Sequence, residues 1–321
     1  MTTGRPRHLP VHPALLLALA QLIWAGNFVL GRAVSASIPP VALSFWRWVL
    51  ALLVLLPFTF REVRAAWPLV RRSLPVLVPL GILGVGNFST LVYVGLGQTT
   101  ATNAALLNSA CPAFILIIGP LLGGPRPGLR QAGGILLSLI GVLVIVGRGD
   151  PQTLLQLSFN RGDAWVLAAV LSWAFYTVLL GRRPAGLHPM ALLTVLVVIG
   201  LAWITPFYAV EAWRGARVSW DGPTLASLGY VGVLAAVVAY VAWNQGVAEL
   251  GADRSGAFLH LLPAFAAVLA ALLLGEAFRA YHAAGIALVL VGVRVAGGGR
   301  SAGGGGPAPS RTDRPASRNC E

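Results

Sequence analysis

Long apolar runs, separated by short clusters of Arg, Pro and Gly, set the organisation of this chain. Ten of them reach the ~20 apolar residues needed to cross a hydrocarbon core as a helix. They lie at roughly 12–32, 40–60, 74–96, 101–122, 129–147, 163–181, 189–210, 224–248, 254–274 and 280–296. Pro57, Pro79, Pro112, Pro206 and Pro263 fall inside these runs. Neighbouring helices satisfy the carbonyls that such prolines free, so the runs are expected to stay helical, with kinks at those points. The stretch of about 148–162, with Asp150, Pro151, Asn160 and Gly162, reads as a linker. Residues 297–321 are rich in Gly, Pro, Ser and Arg and read as a disordered cytoplasmic tail.

The pattern occurs twice. At an offset of 149, Trp24 pairs with Trp173, Ala25 with Ala174, Pro40 with Pro189, Pro57 with Pro206 and Phe58 with Phe207. Further along the offset becomes 151 and pairs Pro112-Ala113-Phe114 with Pro263-Ala264-Phe265, Gly134 with Gly285 and Gly141 with Gly292. Five spans per copy is an odd number, so the second copy enters the membrane from the opposite side. The expected fold is therefore an all-α integral membrane protein of ten transmembrane helices in two inverted five-helix repeats. A short N-terminus (1–11) precedes a first repeat over 12–148, a linker over 149–162 and a second repeat over 163–296. Inverted repeats of this kind are typical of transporters and hold substrate near the midplane, where the copies meet.

Composition agrees with lipid as solvent: 57% of residues are hydrophobic and 10% charged, with a mean hydropathy of +0.78. The net charge of +13 would point to nucleic acid in a soluble protein, but here the charges flank apolar runs, so no nucleic-acid partner is implied. With both termini cytoplasmic, 16 of the 23 Arg lie on that side, six lie outside and Arg47 sits within the second span. The positive-inside rule favours that orientation, and a bacterial inner membrane is the expected location. Val34-Ser35-Ala36 imitates a signal-peptidase site, but removing the first helix would leave the first copy one helix short. Cys111 and Cys320 fit neither a disulfide nor a metal motif, and no cofactor is implied.

Polar side chains are costly in a bilayer and often functional. Gln21, Trp24, Asn27 or Phe28, and Gly31 share one face of the first span. Trp165, Ala169, Ser172 and Tyr176 share one face of the sixth, and Gly86, Thr90, Tyr93 and Gly97 one face of the third. Tyr240, Trp243 and Asn244 lie on the eighth span, while Asn108 and His260 stand just before Pro112 and Pro263. Arg47 lies about 10 Å of helical rise from the outer end of its span and must snorkel, pair or line water. The substrate-binding candidates are Trp24, Asn27, Arg47, Tyr93, Asn108, Trp173, Tyr176, Tyr240, Trp243, Asn244 and His260. A packing role competes for each, because Asn, Ser and His also bond helices together. Trp67, Trp213 and Trp220 read as interfacial anchors. Asp163, Glu211, Glu249, Asp253 and Glu276 all lie near span ends, which leaves a carboxylate proton relay unsupported.

Leu262-Pro263-Ala264, Leu274-Gly275-Glu276 and Gly285-Ile286-Ala287-Leu288-Val289 resemble the second repeat of the EamA-type drug/metabolite transporter superfamily. Leu22-Ile23-Trp24-Ala25-Gly26-Asn27-Phe28 is similar to its opening helix, and Arg47 resembles an Arg common in its second span. The first copy departs from the pattern, with Gly124-Pro125 where the second has Gly275-Glu276. The resemblance implies small-metabolite transport, commonly amino-acid export, and bacterial exporters of aromatic amino acids are similar. The expected function is alternating-access export of neutral or aromatic amino acids through an aromatic cavity, facilitative or weakly coupled. Its partners are the small-molecule substrate and the lipid bilayer, and a monomer is compatible with these features. Multidrug or other metabolite efflux by proton antiport is the alternative. An integral-membrane enzyme is more distant, since no clustered His, Asp or Glu set and no nucleotide-binding loop is present.

Overall fold

The computed structural model describes residues 11–33, 37–99, 101–155, 159–274 and 279–297. Expectations for Val34-Ser35-Ala36, for Glu276, for residues 1–10 and for the tail beyond Gly297 fall outside those residues. Within them every regular element is helical. Ten long helices follow in order: α1 (Pro13–Ala33), α2 (Pro40–Ala65), α3 (Leu74–Leu96), α4 (Ala101–Asn108 continued by Cys111–Leu121) and α5 (Leu129–Val146). The rest are α6 (Arg161–Leu179), α7 (Pro189–Trp213), α8 (Gly222–Leu250), α9 (Leu261–Leu274) and α10 (Ala280–Gly297). Eight described segments, in α2 to α8 and α10, are long and apolar enough to cross a membrane, and Pro13–Asn27 is a shorter apolar stretch. The protein is thus a helical membrane protein, and among the described residues it has no strand.

Local chemistry fixes several starts. Pro40 and Pro189 occupy the first position of α2 and α7, where a missing N–H is harmless. Asn160 and Asp163 form a reciprocal capping box on α6. The Asp221 carboxylate accepts the Thr224 N–H at 2.8 Å and caps α8, which holds that carboxyl below the usual range. The prolines act differently from one another. Helical winding continues through Pro57 and Pro206, whereas Pro112 and Pro263 sit in the first turn of a new segment. The linker holds a short helix, Pro151–Leu155.

Both α3 and α8 change to π winding in the middle. The wide stretch is seven residues long in α3 (Gly81–Asn87) and nine in α8 (Tyr230–Val238). Their starts are 149 residues apart and the helices that follow them start 151 apart, so the change of offset in the sequence falls within these stretches. Wider winding redirects carbonyls from the i−4 ladder toward other partners. The Gly84 carbonyl accepts the Tyr240 hydroxyl at 2.6 Å and Leu83 accepts Ser172 Oγ at 2.9 Å, while Ala235 accepts Trp24 Nε1 at 3.0 Å.

Residues one offset apart repeatedly make matching contacts. Glu211 caps the start of α2 by accepting the N–H groups of Val41 and Ala42, and Glu62, 149 residues earlier, accepts the His188 N–H at the start of α7. Phe45 stacks on Tyr208 with centroids 4.3 Å apart, and the counterpart positions Thr194 and Thr59 share a 2.9 Å hydrogen bond. Helices α5 and α10 touch through small residues. A Cβ on Gly141 would lie 2.6 Å from the Gly285 carbonyl oxygen, and one on Gly292 would lie 2.6 Å from that of Gly134. Such close backbone approach is open to glycine alone and lets two helices gain dispersion contacts in lipid.

Candidate functional site

At the centre, aromatic rings from α1, α2, α3, α6 and α8 interlock. Trp24 meets Trp173 edge-on at 5.1 Å and Tyr240 at 5.6 Å, Trp48 meets Tyr240 at 5.0 Å, and Phe88 lies 4.5 Å from Trp173. Edge-to-face pairs of this kind add about 0.5–1.5 kcal/mol beyond area burial. The rings leave a cavity of about 20 Å³, lined by Gln21, Trp24, Asn27, Arg47, Phe88, Asn108, Trp173, Tyr240, Leu259 and Leu262. That space admits roughly one water. An amino acid enters only if the surrounding helices part.

Six candidates from the sequence therefore meet around one cavity: Trp24, Asn27, Arg47, Asn108, Trp173 and Tyr240. The other five stand behind that lining. Tyr93 accepts from Arg47 Nη1 at 2.8 Å and donates to Asn27 Oδ1 at 3.0 Å, so it orients both. Tyr176 donates to Asn244 Oδ1 at 2.5 Å. Positions 27 and 176 are counterparts at offset 149, as are 93 and 244 at offset 151. The two copies make the same joint with Asn and Tyr exchanged. Trp243 packs against Trp24 at 5.7 Å and Trp173 at 5.8 Å. His260 is fully enclosed: its Nε2 donates to the Ser109 carbonyl at 2.8 Å, and Nδ1 lies 2.5 Å from Ser138 Oγ. Both ring nitrogens are thus engaged within the protein, and His260 is not among the residues lining the cavity. Trp165, on the same predicted face as Tyr176, is 44% exposed and faces away from the cavity.

Sequence reasoning placed Gln21 on the right face of α1 without taking it into the binding set. Its three-residue spacing from Trp24 was the available signal. Phe88, Leu259 and Leu262 gave none, because an apolar residue on a cavity wall looks like any core residue. Among the described residues, several buried polar atoms here lack a hydrogen-bond partner: both amide atoms of Gln21, Nε of Arg47 and Nε1 of Trp173. Arg47 is 2% exposed and its guanidinium carbon lies 4.9 Å from the Trp48 ring centroid. No carboxylate pairs with it among the described residues.

Elsewhere, a cavity of about 330 Å³ opens between the ends of α4 and α6 and the start of the segment before α9, beside Gly123, Gly124, Arg182 and Asp253. The Arg182 guanidinium donates to the Leu122 carbonyl there. Among the described residues no group of three His, Cys, Asp or Glu is placed to hold a metal ion.

Comparison with known proteins adds a family. The EamA-like transporter family matches twice, over residues 12–147 and 160–297. An uncharacterized transporter of Archaeoglobus fulgidus is 29% identical over 87% of this chain and 95% of its own length. The uncharacterized transporter YyaM of Bacillus subtilis is 26% identical over 91% of this chain and 95% of its own. A probable amino-acid metabolite efflux pump of Salmonella typhimurium is 26% identical over 87% and 93%. A solved crystal structure shares the fold at a TM-score of 0.68 and 19% identity, covering 88% of this chain and 96% of the other.

Proposed function

Since the chain belongs to the EamA-like transporter family, we propose that it exports neutral amino acids, aromatic ones included, by alternating access through the central aromatic cavity. The observation that carries this reading is the cavity itself. It is lined by the mutually packed rings of Trp24, Trp173 and Tyr240, and it holds unpartnered buried donors. Aromatic faces suit apolar side chains, and the free donors suit an amino acid's charged head. The Salmonella relative described as a probable amino-acid metabolite efflux pump points the same way.

The architecture behind this mechanism is ten membrane helices in two inverted five-helix repeats, 12–148 and 163–296, with both termini cytoplasmic in a bacterial inner membrane. Support comes from the reciprocal contacts at offsets 149 and 151 and from the Arg distribution. Trp24 against Trp173, and His260 against the Ser109 carbonyl, are contacts between positions that are each other's counterparts. Such contacts fall on the axis that relates two copies. Among the described residues no Asp or Glu lines the cavity, which favours facilitated movement over carboxylate-coupled proton antiport.

Reconstitution into liposomes loaded with labelled amino acids tests the function. Flux of phenylalanine or another neutral amino acid down its gradient, persisting without a proton gradient, is the expected result. Absence of flux for every amino acid would sink the substrate assignment, and strict dependence on a proton gradient would remove the facilitative mechanism. Trp24→Ala and Tyr240→Ala are expected to lower flux at least tenfold while leaving membrane insertion intact.

A further inference from the structure

Every amide and guanidinium side chain in the lining of the central cavity comes from one copy. Gln21, Asn27, Arg47 and Asn108 all belong to α1, α2 and α4. Their counterparts in the other copy are Val170, Tyr176, Leu196 and Leu259. The second copy supplies Trp173, Tyr240, Leu259 and Leu262 to the lining instead. A symmetric scaffold therefore encloses a cavity with a polar pole and an apolar pole.

The polar pole is short of acceptors. Arg47 carries a buried positive charge whose Nε lacks a partner, while its Nη1 donates to the Tyr93 hydroxyl. A guanidinium buried without an anion carries an uncompensated desolvation penalty. Gln21 is 0% exposed, and neither its amide nitrogen nor its amide oxygen has a partner. An unpaired buried amide likewise loses its hydration without replacement. Both residues line the same cavity, so a single ligand carboxylate entering it meets donors at Arg47 Nε and Gln21 Nε2. An adjacent ammonium then donates to Gln21 Oε1, which completes the amide.

Resting on the export reading above, we propose that Gln21 and Arg47 form a carboxylate-binding pole, so that transported molecules need a free carboxylate next to an ammonium. Their apolar side chains then lie toward Trp173, Leu259 and Leu262. Gln21 sets selectivity for the α-amino acid head, and the aromatic wall sets the preference for apolar side chains. The polarity of the cavity fixes a single orientation of the substrate during transit.

The test uses the full chain in liposomes with three labelled probes: phenylalanine, phenylalanine amide and 2-phenylethylamine. The wild-type protein is expected to carry phenylalanine at least tenfold faster than either probe lacking a free carboxylate. Gln21→Leu, which resembles Val170 in the other copy, is expected to raise KM for phenylalanine at least tenfold. Arg47→Lys is expected to keep part of the discrimination and Arg47→Gln to lose it. Because Arg47→Gln also disturbs Tyr93, binding of phenylalanine to purified Gln21→Leu, followed by intrinsic Trp fluorescence, gives a readout independent of folding at Arg47. Equal transport of all three probes, or an unchanged phenylalanine KM in Gln21→Leu, overturns the pole and leaves amino-acid export standing. Flux of 2-phenylethylamine with none of phenylalanine overturns both.

Discussion

Arg47, Tyr93 and Asn27 show how much one hydroxyl can organise in a low-dielectric interior. Tyr93 accepts from a cation and donates to an amide in the same step. Its counterpart joint, Tyr176 with Asn244, has no charge in it. Bonds to charged groups contribute about 1.5–3 kcal/mol and neutral ones about 0.5–1.5. Tyr93→Phe is therefore expected to destabilise the protein by roughly 2 kcal/mol, and Tyr176→Phe by about half as much. Thermal unfolding in detergent compares them, and equal shifts would mean that Arg47 gains nothing from Tyr93. At this scale the sequence was most readable where a residue was out of place in lipid. Arg47, Asn108 and the deep Trp residues stood out for that reason. Leu259 and Leu262 did not, and Asn244 and Tyr176 stood out for a role they fill with each other rather than on the cavity wall.

Among the elements, α5 and α10 depend on the absence of side chains. Gly141 and Gly292 each face a backbone oxygen of the opposing helix at a distance no Cβ tolerates, whereas a methyl group on Gly133, at the outer face of α5, would meet nothing within 4 Å. Gly141→Leu must push the helices apart, and overpacking of this kind costs about 1–3 kcal/mol or more. Gly133→Leu changes only a lipid-facing surface. Size-exclusion profiles and unfolding midpoints are expected to separate the two, with Gly141→Leu aggregated or strongly destabilised and Gly133→Leu like wild type. Equal behaviour would remove the close contact as a support of the fold. The positions of eight of the ten expected spans were legible because apolar length is a strong signal. The break at Ser109-Ala110 and the π stretches were not, since they depend on which neighbour is present to take a freed carbonyl.

For the whole molecule, the matched carboxylates Glu211 and Glu62 offer a test of the proposed alternating access. They cap helices at opposite ends of α2 and α7: Glu211 binds two amides at one end and Glu62 binds one at the other. If opening one face closes the other, loosening one cap tightens the opposite end. Glu211→Gln is then expected to speed hydrogen exchange at Val41 and Ala42 and to slow it at His188, with Glu62→Gln giving the reverse. Faster exchange at both ends in either variant would rule out that coupling. The duplication was visible in the sequence as two constant offsets, but the contacts that cross from copy to copy were not, because an offset relates positions without saying which of them touch. The two extra residues in α8 carry a last implication. Two residues added to an α-helix turn everything downstream by about 200°, which would have sent Tyr240 and Asn244 out among the lipid tails. Taken up as wider turns, the two residues leave the downstream face as the first copy has it, and the Ala235 carbonyl, one offset from that of Gly84, stays free to hold Trp24.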